Sequence, residues 1–123
     1  MAKVIIVDDD ANFCALVIRS LRRAGFDATC HTSPFGTLNA IRKGSFDLVI
    51  LDINMPGLDG PSLVKLLRET KGLEQTKILL YSLCEEDMLR KIAREAGVTG
   101  WVKKSSSQNE LIGAVTSALA EHS

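Results

Sequence analysis

Apolar positions along this chain follow two rhythms that alternate from one end to the other. Residues 3–7 (KVIIV) form an unbroken β-branched run, the pattern of a strand covered on both faces. Residues 11–24 instead put Phe13, Leu16, Val17, Ser20, Leu21 and Ala24 along one helical stripe, with Gly25 as the stop. Residues 26–31 (FDATCH) predict a second, more polar strand at a sheet edge. Ser33 and Pro34 predict the next helix start, Ser33 as cap and Pro34 in the first turn, with an end near Gly44. Residues 46–51 (FDLVIL) predict the most deeply buried strand. Gly60-Pro61 opens a third helix with Leu63, Val64, Leu66 and Leu67 inward and an end near Gly72. Residues 77–82 (KILLYS) predict a fourth strand. Residues 85–97 predict a helix with Met88, Leu89, Ile92, Ala93 and Ala96 inward and acids at its electropositive start. Residues 100–103 (GWVK) predict a short fifth strand, and Ser107 with Glu110 forms a capping box for a last helix through Leu111, Val115 and Leu119.

Five strand–helix units with short connections predict an α/β domain, a parallel sheet with helices on both faces and right-handed crossovers. No linker, repeat or low-complexity segment interrupts the 123 residues, which predict a single domain over residues 1–123. Fifteen basic residues balance fifteen acidic ones, so no basic footprint for nucleic acid is present. No apolar run approaches the roughly 20 residues of a membrane span, and Val4 to Val7 is too short for a signal-peptide core. The expectation is a cytoplasmic protein with neither nucleic acid nor membrane as partner. Cys14, Cys30 and Cys84 are odd in number and form no zinc pattern with His31 and His122, so reduced, mostly buried thiols are expected.

In open parallel sheets ligands bind beyond the carboxyl ends of the strands. The first strand exits into Asp8, Asp9 and Asp10, the third into Asp52 and Asn54, the fourth into Ser82, and the fifth into Lys103 and Lys104. The second offers only His31 and Thr32, and His31 is read as a surface or half-satisfied histidine. Asp10 is read as a helix cap. Carboxylates converging from two neighbouring strands repel one another and must protonate or hold a cation. Hard oxygen ligands in incomplete number suit Mg²⁺, which keeps several waters. An aspartate can also attack phosphorus as a nucleophile, and phosphoryl transfer needs mainly positioning and charge neutralisation. A metal, an ammonium and a hydroxyl around Asp52 supply those roles.

"IIVDDD", "LDINMPGLDG", "YS" and "GWVKK", spread over essentially the whole chain, resemble the receiver domain of two-component response regulators. The resemblance implies a flavodoxin-like (βα)5 three-layer sandwich with strand order 2-1-3-4-5. It implies Asp52 as phosphoacceptor, Asp9 as a direct Mg²⁺ ligand, Asp8 as an acid working through a water, and Asn54 as a ligand by its backbone carbonyl. Ser82 matches the switch hydroxyl, Lys104 the phosphate-contacting lysine, and Trp101 the aromatic switch position. In this family the phosphoryl group draws the hydroxyl inward, the aromatic follows, and the face of the fourth helix, fifth strand and fifth helix changes shape for a partner. The implied partners are a histidine kinase or histidine phosphotransfer protein and a downstream protein target, for a monomer or weak dimer. The implied chemistry is self-phosphorylation and autodephosphorylation at Asp52 and not turnover of a separate substrate.

Three positions depart from the family pattern. Leu83 replaces a small residue and is expected to narrow access to Asp52. Ser105 replaces the usual proline after the lysine, so either a trans bond with a reshaped loop or a cis bond is expected; a cis bond without proline costs about 3–4 kcal/mol. The doublet Lys103-Lys104 leaves a one-residue ambiguity, which counting from Gly100 and Trp101 resolves toward Lys104, leaving Lys103 a solvated charge. Competing readings are a degenerate receiver that binds partners without phosphorylation, a small Asp-nucleophile phosphatase of the haloacid-dehalogenase type, and a flavodoxin-like cofactor binder. The phosphatase reading lacks the second acid, since position 54 is Asn, and "DDDANF" repels a phosphate in the absence of a metal.

Overall fold

The computed structural model describes residues 1–120; His122 lies outside the described residues. The elements run β1 (Lys3–Val7), α1 (Ala11–Arg23), β2 (Asp27–His31), α2 (Thr37–Gly44), β3 (Leu48–Leu51), α3 (Gly60–Glu69), β4 (Lys77–Ser82), α4 (Glu86–Ala96), β5 (Gly100–Lys103) and α5 (Gln108–Ala120). All strand pairs are parallel, in the order β2-β1-β3-β4-β5. This is the flavodoxin-like (βα)5 sandwich, with the polar strand β2 at an edge.

Side-chain alternation along the strands divides the interior in two. Val4, Ile6, Leu48, Ile50, Leu79 and Tyr81 face one layer, built with Cys14, Val17 and Leu21 of α1 and Leu111, Val115 and Ala118 of α5. Ile5, Val7, Val49, Leu51, Ile78 and Leu80 face the other, built with Ile41 of α2, Leu63, Val64 and Leu67 of α3, and Leu89 and Ala93 of α4. Burial on both faces explains why the central strands read as continuous apolar runs instead of alternating ones.

Several details differ from the sequence-based expectation. Leu16, Leu66 and Met88 are exposed. The buried lines are Cys14–Val17–Leu21 on α1 and Leu63–Val64–Leu67 on α3, so an apolar residue one position off the line turns about 100° away from the core. On α4 only Leu89 and Ala93 are fully inside. Helix α2 starts at Thr37, not at Pro34. Ser33 Oγ accepts the Phe35 N–H at 3.0 Å in a local turn, and Gly36 at φ 70° redirects the chain before the helix begins. Helix α3 ends at Glu69, short of Gly72.

The cysteines are the larger correction. Cys14 on α1 and Cys30 on β2 are joined as a disulfide with their Cα atoms 6.2 Å apart, and Cys84 is the free thiol. Cys30 stands sixteen positions after Cys14, a spacing with no motif, and it is the packing of α1 against β2 that brings the two together.

Candidate functional site

Register places the first two acids side by side. Val7 pairs with Leu51, so Asp8 and Asp52 leave the sheet next to each other. Both are held by the backbone of a neighbouring strand: the Asp52 N–H donates to Val7 O at 3.0 Å and the Asp8 N–H to His31 O at 3.2 Å. Asp8 is 1% and Asp52 5% exposed, whereas Asp9 is open to solvent. One carboxylate oxygen from each of Asp8, Asp9 and Asp52 lies within 4.8 Å of the others. Asp10 serves elsewhere, as the N-cap of α1, accepting the N–H groups of Asn12 and Phe13.

Lys104 follows β5 and its N–H donates to Ser82 O at 2.8 Å. Its ammonium lies 2.6 Å from Asp8 Oδ2 and 3.1 Å from Asp52 Oδ2. It also sits 4.9 Å above the Phe13 ring and 5.9 Å from that of Tyr81. Burial works against the Lys104 charge, but the carboxylates of Asp8 and Asp52 beside its ammonium outweigh that cost and hold its pKa above the ordinary lysine value. The Lys104–Ser105 peptide is trans, so of the two arrangements open to this loop the chain adopts the first, with Lys104 still directed at Asp52.

The loop after β3 contributes both backbone and side chain. The Asn54 N–H donates to Asp52 Oδ1 at 3.0 Å. The loop then reverses at Met55-Pro56-Gly57-Leu58, where Leu58 N–H donates to Met55 O and Gly57 takes φ 80°, the sign a type II turn demands at its third position. Asp59 closes the segment as N-cap of α3, accepting from Ser62. The Asn54 amide donates to Ser82 Oγ at 2.9 Å, and the Cys84 N–H reaches the same oxygen at 3.2 Å. Ser82 is fully buried.

Trp101 lies on β5 opposite Leu80 and is half-buried against the α3/α4 layer, the side to which Ser82 also belongs by alternation along β4. Leu83, next in the loop between β4 and α4, is 72% exposed. Lys103 makes no ion pair among the described residues. His31 is a satisfied histidine, its Nε2 bonded to Phe35 O at 2.8 Å.

Three contributions to the site were not among the expectations from sequence. Phe13 and Tyr81, rings 5.5 Å apart, wall the lysine ammonium, and the Asn54 amide anchors the buried serine. Alternation on β4 puts Tyr81 toward α1, which is the signal that could have paired it with Phe13.

The donor set fits a hard divalent cation. It consists of carboxylate oxygens, two of them on buried residues. Asp8 Oδ2 is buried with no well-directed hydrogen bond, only the Lys104 ammonium beside it. Three carboxylates against one ammonium leave this pocket two negative charges in excess.

A family model described as the response regulator receiver domain matches residues 4–116. The chain belongs to the receiver-domain family of response regulators. As a receiver it is part of two-component phosphorelay signalling. It superposes on the chemotaxis response regulator CheY4 of Vibrio cholerae with a TM-score of 0.87 at 28% identity, covering 96% of this chain and 98% of that one. A putative response regulator from Chloroflexus aurantiacus gives a TM-score of 0.89 at 28% identity, with 98% of each chain covered. The BeF3-activated N-terminal receiver domain of Klebsiella pneumoniae RstA gives 0.86 at 26% identity, with 97% and 99% covered. Among its described residues the receiver has no helix long and apolar enough to cross a membrane.

Proposed function

We propose that Asp52 is the phosphoacceptor of this receiver, taking a phosphoryl group from the phosphohistidine of a kinase or phosphotransfer protein. The observation that carries this reading is the shared grip of Lys104 on Asp8 and Asp52, which fixes a buried carboxylate beside an ammonium at the open edge of the sheet. In the transfer, an Asp52 oxygen forms a bond to phosphorus, the P–N bond to the donor imidazole breaks, and the imidazole keeps the electron pair and takes up a proton. The Asn54 N–H holds Asp52 Oδ1, restricting the rotation of the carboxylate. Lys104 neutralises charge on the equatorial oxygens, and Ser82 offers its hydroxyl to one of them.

Asp8, Asp9, Asp52 and the backbone carbonyl of Asn54 would hold Mg²⁺, with Asp9 as a direct ligand and Asp8 acting through a water. Bound there, the ion supplies further charge neutralisation for the transferred group. The chemistry is confined to the protein's own aspartate, which is phosphorylated and later hydrolysed; no separate substrate is turned over. Ser82 and Trp101 form the switch that carries the event to the face of α4, β5 and α5, where a downstream protein docks. The compartment is the cytoplasm, residues 1–123 make up a single receiver domain, and the receiver is a monomer or weak dimer.

The test is incubation with acetyl phosphate and Mg²⁺, read by intact mass. One phosphoryl group is expected on the wild type in Mg²⁺ and none in EDTA. Asp52→Asn should remove it; a variant that still gains the mass would place the phosphoacceptor elsewhere.

A further inference from the structure

The proposed switch has one partner that the phosphoacceptor pocket does not account for. Arg90, in the middle of α4, carries its guanidinium 5.8 Å above the Trp101 ring. The same guanidinium is paired with Glu86 at 2.8 Å and Asp87 at 3.8 Å. These acids occupy the first turn of α4, where the electropositive helix end favours them whether or not Arg90 is present. Arg90, one turn on, closes onto them in the spacing that suits an acid-first pair. The cation is therefore positioned by α4, whereas the ring it covers belongs to β5. The contact thus spans two elements and meets Trp101 in a half-buried position.

We propose that Arg90 is a positioning residue that latches Trp101 in the resting arrangement and so sets how readily the receiver switches. This rests on the reading of Ser82 and Trp101 as the switch pair. Inward movement of the ring gives up the guanidinium face while leaving the bond to Glu86 intact, so the latch opposes switching by the worth of one cation–π contact. For an exposed contact this corresponds to about two- to fivefold in the ratio of the two states. A ligand that binds only the switched state has an apparent affinity scaled by the population of that state. Removing the latch therefore tightens binding of an aspartyl-phosphate mimic at a site Arg90 does not touch.

Trp101 is the sole tryptophan, so its fluorescence reports this ring alone. The experiment titrates beryllofluoride into wild type, Arg90→Gln and Arg90→Lys at saturating Mg²⁺, following Trp101 emission for the switch and ¹⁹F NMR for occupancy. Arg90→Gln is expected to bind about two- to fivefold more tightly than wild type, with Arg90→Lys between the two. A variant that is merely less stable gives no such tightening. An unchanged or weaker midpoint for Arg90→Gln, with the wild-type emission responding normally, overturns the latch and leaves the switch intact. Beryllofluoride occupancy with no change in wild-type Trp101 emission overturns both.

Discussion

Asp9→Asn isolates the cost of gathering acids at this site. Asp9 is exposed, and among the described residues its carboxylate makes no ion pair, so the substitution removes a charge without orphaning a cation. Its carboxylate stands within 4.8 Å of those of Asp8 and Asp52. A like-charge pair at that distance costs about 1 kcal/mol at the permittivity of water and about 3.5 kcal/mol at an effective permittivity near 20. Lys104 offsets part of the charge on the two buried acids, and an exposed partner lies nearer the aqueous limit, so a net gain of about 1–2 kcal/mol is expected in EDTA. Mg²⁺ is expected to reverse the ranking. A cation at a hundredfold excess over its dissociation constant stabilises the wild type by about 2.7 kcal/mol, and the variant, lacking a proposed direct ligand, gains little. Urea denaturation of both proteins in EDTA and in excess Mg²⁺ measures all four values. Asp9→Asn should be the more stable protein without metal and the equal or weaker one with it. A variant that loses stability in EDTA, or gains as much from Mg²⁺ as the wild type, would refute the reasoning.

Further outcomes follow from the same geometry. Lys104→Met leaves two buried carboxylates without their ammonium and should cost about 3–5 kcal/mol in EDTA by urea denaturation. Because the folded-state pKa of Lys104 is raised, its contribution is complete below the ordinary value of 10.5 and is lost as pH rises through the folded value. Wild-type stability should therefore fall in that alkaline window more steeply than that of Lys104→Met. Leu83→Ala should react faster than wild type with acetyl phosphate by intact-mass time course, and equal rates would remove Leu83 as a barrier. Unfolded without reductant, the protein should expose one titratable thiol, Cys84, and after reduction three. Loss of a cross-link closing a loop of this size should lower stability by up to about 3 kcal/mol.

Element types and order were legible because the two periodicities are strong and the connections short. The strand exits were legible for a related reason: an acid that ends an apolar run stands out against it. What was hidden depends on geometry finer than a stripe. Leu16 and Leu66 neighbour true core positions, and hydropathy alone does not tell which side of a helix meets the sheet. The start of α2 turned on a glycine in the left-handed region and a serine hydroxyl used locally, both of which compete with a helix cap. The Cys14–Cys30 pairing depended on packing between α1 and β2 and left no trace in spacing. Asn54 was expected to act through its carbonyl, and nothing in the sequence marked its amide as the anchor of Ser82.

The backbone amides of Asp8, Asp52 and Lys104 each make a final hydrogen bond to an adjacent strand, one residue beyond the strand's end. This sets where the chain can tolerate gained or lost residues over evolutionary time. A one-residue deletion within β3 would draw Asp52 back into the position of Leu51 and turn its carboxylate to the opposite face of the sheet. The same deletion between Met55 and Leu58 falls after the anchoring bond of Asp52 and remakes the turn that returns the chain to α3 without moving Asp52 along its strand. Length variation among descendants of this sequence should therefore collect in the loops beyond the anchored residues and spare the strands that lead to them.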